Sequence, residues 1–148
     1  MTLRRRPAHP PPVERISSPI IVFLTICTAR RQRILANYAA VRTLRQCWTE
    51  AGDWVVGRYV VMPDHVHLFC APEADTSVVR WVQFWKAMTT RRWPVWIQGP
   101  VWQRNCWDTQ MRTDDAYEEK LEYVRWNPVR HRLVSHPDDW PFQVRSSV

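Results

Sequence analysis

Two histidines one residue apart, His65 and His67, sit in the run Tyr59-Val-Val-Met-Pro-Asp-His-Val-His-Leu-Phe-Cys70. Hydrophobic β-formers flank them, so residues 65–71 read as a strand. Alternate residues of a strand share a face, which puts the two imidazoles on one side, roughly 7 Å apart along the chain. Val66, Leu68 and Cys70 then face a core. Two imidazoles on a rigid strand can grip one divalent ion, although an isolated His-x-His pair more often caps a half-buried sheet face. A second stretch shifts the balance. Tyr123 and Asn127 lie four residues apart on a predicted helix, so their side chains stack about 5–6 Å from each other. Laid over the histidine face, that helix lets His65, His67 and the Asn127 side-chain oxygen hold one cation, with the Tyr123 phenol a turn away. Such an ion polarises a phosphate for in-line attack. A positioned tyrosine is a workable nucleophile, and the phosphotyrosine it forms keeps the phosphodiester's energy for a later attack by a free hydroxyl.

The elements that must position these groups follow from pattern. Pro19 to Thr28 is rich in Ile, Val, Phe and Thr and predicts a first strand buried on nearly both faces. Asn37 caps a helix running to Ala51, with Val41, Leu44, Trp48 and Ala51 as its stripe and Gly52 at its end. Trp54 to Val61 predicts a second strand, joined to the histidine strand by a turn at residues 62–64. A second helix spans Ser77 to Arg92, burying Val78, Trp81, Val82, Trp85 and Met88 and exposing Lys86, Arg91 and Arg92. Those three cations form either a solvated face or a phosphate rail. Val101 to Arg112 predicts a fourth strand. Asp115 and Glu118 resemble a capping box opening a third helix over residues 116–127, closed by Pro128, with Tyr117, Leu121 and Val124 on its buried stripe. The order βαββαβ predicts an α+β, ferredoxin-like sandwich: two helices on one sheet face, the other face open, and an extra C-terminal helix carrying the nucleophile.

The 148 residues fit one domain, expected over residues 19–148, behind an Arg- and Pro-rich tail at residues 1–18. The net charge is +7, and all but two of the 21 basic residues are arginine. Arginine's planar fork matches phosphate oxygens, so a polyanionic partner is expected, with an affinity that falls steeply with salt. The ten tryptophans are expected mostly in the core, although an Arg- and Trp-rich surface also stacks unpaired bases. Cys27, Cys47, Cys70 and Cys106 form no Cys-x-x-Cys pair, which suits free thiols in a reducing compartment. Arg4-Arg5-Arg6 and the apolar run at residues 20–26 imitate a signal peptide, but Pro7 and Pro10-Pro11-Pro12 intervene and no small-residue cleavage site follows. A cytoplasmic, nucleoid-associated protein is expected.

Val60-Val-Met-Pro-Asp-His-Val-His-Leu68, together with Tyr123-Val-Arg-Trp-Asn-Pro-Val-Arg130, resembles the REP-associated tyrosine transposases, single-tyrosine members of the HUH nucleases. The likeness runs from about Ile20 to Trp140 and includes Trp102-Gln103-Arg104 and Pro137-Asp-Asp-Trp-Pro141. The resemblance implies that His65 and His67 bind the metal, that Asn127 is its polar third ligand and that Tyr123 is the nucleophile. It implies Mg2+ or Mn2+, where ligand chemistry alone would name zinc first. It also implies cleavage of single-stranded DNA beside imperfect hairpins, with a 5′-phosphotyrosine intermediate, by a monomer or homodimer. Arg104, Arg130, His131 and Arg132 join Lys86, Arg91 and Arg92 as candidate DNA contacts. The chain departs from the family where His131-Arg132 replaces a small residue or glycine after Asn127-Pro128, and where Gln143 stands for serine.

Two other readings fit parts of the pattern. An RRM-type module binds single-stranded RNA on a similar sheet without chemistry, but the glycine-aromatic signature of its third strand is missing here. HUH enzymes that initiate replication or conjugation share the chemistry, but their chains are usually longer and carry extra domains.

Overall fold

Strand β1 (Ile21–Cys27) forms the spine of the molecule, because its two edges carry both of its neighbours. In the computed structural model, which describes residues 20–105, 107–111 and 114–144 (107–111 and 114 as backbone), it is followed by α1 (Tyr38–Ala51), β2 (Trp54–Val61), β3 (His65–Pro72), α2 (Val78–Arg91), β4 (Trp107–Met111), α3 (Asp114–Arg125) and a short α4 (Asn127–Arg130). The four strands pair antiparallel in the order β2-β3-β1-β4, the arrangement of a ferredoxin-like βαββαβ sandwich. The β1–β3 register sets Thr25 beside His67 and Cys27 beside His65.

The sheet's two faces bury different cores. Val22, Leu24, Ile26, Val66, Leu68 and Cys70 meet Leu44, Cys47 and Trp48 of α1 and Trp81, Val82, Trp85 and Met88 of α2. Fully burying each large apolar side chain contributes about 1.5–3 kcal/mol relative to exposure. Asn37 caps α1 by accepting the Ala40 amide at 2.8 Å, and Ser77 caps α2 by accepting the Arg80 amide at 3.2 Å. On the opposite face, Phe23, Val60 and Phe69 pack with Val124 of α3 and Trp140. The face left open by the first two helices is thus partly roofed by the third, the helix expected to lie over it. Tyr117 lies there as expected, edge-on to Phe69 at 5.1 Å between ring centroids. The chain after α4 returns along the outer edge of β2, where Val61 donates to the Phe142 carbonyl and Val144 to that of Tyr59. This shields an edge strand that would otherwise pair with other chains.

Three expected boundaries move. The fourth strand begins at Trp107 rather than Val101, and the earlier part of that segment makes only a bridge between Trp102 and Thr28. Trp102 is held there because its indole donates to Thr89 Oγ1 at 2.7 Å inside the core, out of register with β4. The third helix stops at Arg125, two residues early. Pro128 lacks an N–H and its ring crowds the carbonyl four residues back, so the helix breaks at Trp126 and restarts as α4 with proline in its first turn. The expected Asp115 capping box is not seen: α3 starts at Asp114, and the residue before it lies outside the described residues, as do the residue 1–18 tail and Cys106.

The His131-Arg132 departure also acquires a physical account. Arg132 donates to the Val129 carbonyl at 2.9 Å and Leu133 to that of Pro128 at 2.8 Å, a Schellman closure of α4. That motif wants a left-handed residue, and Arg132 supplies it at φ 61° where glycine would be unstrained. Arg132→Gly is expected to stabilise the fold by about 1 kcal/mol, read as a raised urea midpoint with an unchanged m-value.

A histidine pair roofed by the third helix

His65 and His67 leave β3 on the face that α3 covers, and both are buried, at 8% and 9% exposure. Their Nε2 atoms lie 3.2 Å apart. Each ring is held from behind by its Nδ1. Asp64 Oδ1 lies 2.8 Å from His65 Nδ1, and Thr25 Oγ1 lies 2.9 Å from His67 Nδ1. Phe23 stacks on the His67 ring at 5.5 Å. Burial pushes the His67 pKa down to about 3, helped by His65, Lys120, Arg130 and His131, while burial lowers that of His65 against the pull of Asp64. Both rings are thus neutral at physiological pH, the form that binds metals.

Hydrogen-bond logic fixes where their protons sit. A carboxylate only accepts, so His65 Nδ1–H donates to Asp64 and His65 Nε2 is a bare lone pair. Asn127 reaches the pair from α4, 5% exposed, with Nδ2 at 2.7 Å from His67 Nε2. Its Oδ1 accepts from the Arg130 guanidinium at 2.8 Å. Guanidinium only donates, which orients the amide: Nδ2–H must point at His67, whose Nε2 is therefore bare as well. His67 Nδ1–H then donates to Thr25. Two unprotonated nitrogens thus lie side by side, that of His67 accepting from Asn127, at a separation that a shared cation would suit.

The distance fits one. Two nitrogens about 2.1 Å from a common ion, at about 90–110° to each other, would lie about 3.0–3.4 Å apart. Among the described residues no group of three His, Cys, Asp or Glu could hold a metal, so a third protein donor would have to come from a side chain such as Asn127. Here the structure departs from the expectation. The Asn127 oxygen faces Arg130, and the amide must turn half-way over to offer it to the pair.

Tyr123 sits one turn before this amide and is 57% exposed. The Arg130 guanidinium lies 3.9 Å over its ring and also bonds the Tyr123 carbonyl. Lys120 Nζ lies 5.8 Å from the centre of the same ring and 5.2 Å from that of Phe23. Arg130, expected as a DNA contact, thus joins the phenol to the amide that touches His67.

The candidate phosphate rail fares differently. Lys86 donates to the carbonyls of Gln103 and Arg104, and Arg92 pairs with Glu50 at 2.9 Å. Both cations serve the fold, and their helix packs on the sheet face away from the histidines. Arg91, Arg104, His131 and Arg132 are exposed. Three residues absent from the expected site support it: Thr25, Asp64 and Arg31. Arg31 donates to Asp64 Oδ2 at 3.0 Å. Although burial pushes the Asp64 carboxyl up, hydrogen bonds from His65 and Arg31 hold it below its ordinary range. Asp64 directly precedes His65, so a carboxylate behind the imidazole expected to bind metal was findable. Asp64→Asn is expected to weaken Mn2+ binding about 10–100-fold in a calorimetric titration, with little effect on folding.

The model of the family described as "Transposase IS200 like" matches residues 17–125. The chain belongs to the IS200-like transposase family. The matched stretch contains His65, His67 and Tyr123 and stops two residues before Asn127. A REP-associated tyrosine transposase of Escherichia coli K12 is 30% identical over 112 residues, 74% of this chain and 62% of that protein. A Haemophilus influenzae protein assigned to the same group is 30% identical over 94 residues, 55% of this chain and 53% of the relative. The chain therefore spans only about half to three fifths of these curated relatives. A solved REP-associated tyrosine transposase bound to a REP hairpin shares the fold, with a TM-score of 0.75 at 24% identity over 97% of this IS200-like chain and 82% of that chain. A Deinococcus radiodurans protein assigned as a transposase matches with a TM-score of 0.54 at 19% identity, over 82% of this chain and 95% of that one. Among the described residues, no helix is long and apolar enough to cross a membrane.

Proposed function

We propose that this IS200-like chain cuts and rejoins single-stranded DNA beside imperfect, REP-like hairpins, as a tyrosine transposase of the cytoplasm. The observation that carries the reading is the pair of unprotonated Nε2 atoms 3.2 Å apart, with the Asn127 amide against them and the Tyr123 phenol one turn away. His65 and His67 would hold Mg2+ or Mn2+, which would polarise the phosphate to be cut. Asp64 and Thr25 keep the two rings turned toward that ion.

Tyr123 Oη attacks the phosphorus, the bond from phosphorus to the 3′ oxygen breaks, and the phenolic proton leaves to water at this exposed position. The 5′ phosphate stays on Tyr123 and the other strand departs with a free 3′-hydroxyl. A 3′-hydroxyl attacking in the reverse sense reseals DNA and releases the tyrosine, so strands are exchanged without another energy source. Arg130, bonded to Asn127 Oδ1 and stacked on Tyr123, holds the amide and the phenol in one unit.

The test is to incubate the purified chain with Mn2+ and a labelled hairpin carrying a single-stranded flank. A protein–DNA adduct that survives denaturing electrophoresis is the expected product. DNA binding with no adduct at any metal concentration would leave only a single-strand binding module.

A further inference from the structure

The segment between α2 and β4 presents large apolar side chains to solvent. Trp96 is 85% exposed and Val95 62%, which among the described residues makes them, Tyr38 aside, the most exposed large hydrophobic side chains. The segment is nonetheless anchored. Trp93 and Ile97 pack against the larger core, and Trp93 lies 6.3 Å from Trp102 between ring centroids. Pro94 and Pro100 fix the backbone φ at its two ends. Two anchors hold the loop while the indole between them points outward.

The loop is also tied to the histidine site. Arg30 donates to the Gln98 carbonyl at 3.3 Å, and its neighbour Arg31 donates to Asp64, the carboxylate behind His65. Arg30 and Arg31 both adopt left-handed backbone, at φ 56° and 54°. Two consecutive non-glycine residues in that region are strained, by about 1–2 kcal/mol each. The strain sends one arginine to the loop and the other to the site. On the far side, the Gln103 amide donates to the Cys27 carbonyl at 2.9 Å, and Cys27 pairs with His65. Residues 28–33 and 93–104 together carry Arg30, Arg31, Arg33 and Arg104 and not one carboxylate.

An exposed indole on a loop that Arg30 ties to an arginine-bearing segment without carboxylates of its own fits one occupant better than a protein partner: an unpaired nucleobase with its phosphates. We propose that Trp96 is a stacking platform for an unpaired base of the strand leading to the histidine site, with that segment's arginines neutralising its phosphates. This rests on the DNA reading above and adds a position that fixes where the single-stranded flank runs.

The experiment compares wild type, Trp96→Phe and Trp96→Ala for affinity to a blunt hairpin and to the same hairpin with a single-stranded flank, then scans one abasic position along that flank. Trp96→Ala is expected to lose about ten-fold in affinity for the flanked hairpin and nothing for the blunt one. Trp96→Phe keeps most of the affinity. One abasic position in the flank should weaken wild type and leave Trp96→Ala unaffected. Equal affinities of wild type and Trp96→Ala, or an equal loss on both DNAs, overturn the platform while leaving the cleavage reading standing. A change in sedimentation with unchanged DNA affinity assigns Trp96 to contact between copies and overturns it too. Absence of DNA binding by wild type removes both readings at once.

Discussion

Tyr123→Phe is expected to bind the flanked hairpin as tightly as wild type and to form no adduct. Cleavage is expected to fall by on the order of a thousand-fold or more, because the variant has no atom that can make the bond to phosphorus. Phenylalanine keeps the ring under the Arg130 guanidinium, 3.9 Å away, and keeps the main-chain carbonyl that Arg130 bonds. The side chain is 57% exposed and none of the described hydrogen bonds uses its hydroxyl, so folding should not change. The measurement is a denaturing-gel adduct assay beside a native-gel binding assay. An adduct that persists in the variant would move the nucleophile elsewhere, and the half-buried Tyr117 against Phe69 is a poor substitute.

Much of this was legible in the chain because each device is local. The alternation around His65 and His67, the Asn37 and Ser77 caps and the apolar stripes of the first two helices need only neighbours to be recognised. What was hidden depends on partners far along the chain. Thr25 orients His67 across 42 residues, and only the strand register puts it there. Lys86 looks like a free cation on a helical wheel, yet it bonds carbonyls of a loop that periodicity cannot place. The Asn127 amide is the subtlest case. Its place near Tyr123 was expected from helical pitch, but which of its atoms faces the histidines was decided by Arg130, a residue beyond the proline that ended the expected helix. Spacing could assign Asn127 to the site; only the donor-only character of its neighbour could orient it.

That orientation bears on the second large effect, which concerns His67. His67→Gln is expected to abolish metal-dependent cleavage, by on the order of a hundred-fold or more, and to abolish the metal's effect on thermal stability. Wild type should melt at higher temperature with Mn2+ than with chelator, since a ligand at about a hundred times its dissociation constant stabilises the folded state by about 2.7 kcal/mol. The variant should melt at one temperature in both. Glutamine is the suitable replacement because it fills most of the space against Phe23 and can still meet Thr25 and Asn127, so a collapsed core does not imitate a lost ligand. Its amide cannot hold a bare imidazole lone pair 3.2 Å from that of His65. The fit for a shared cation, derived from Asp64 on one ring and Arg130 through Asn127 on the other, therefore disappears with a single side chain. A metal-induced rise in melting temperature that survives His67→Gln would show that the ion binds away from the histidine pair, and the phosphate-activating role would pass to that other site.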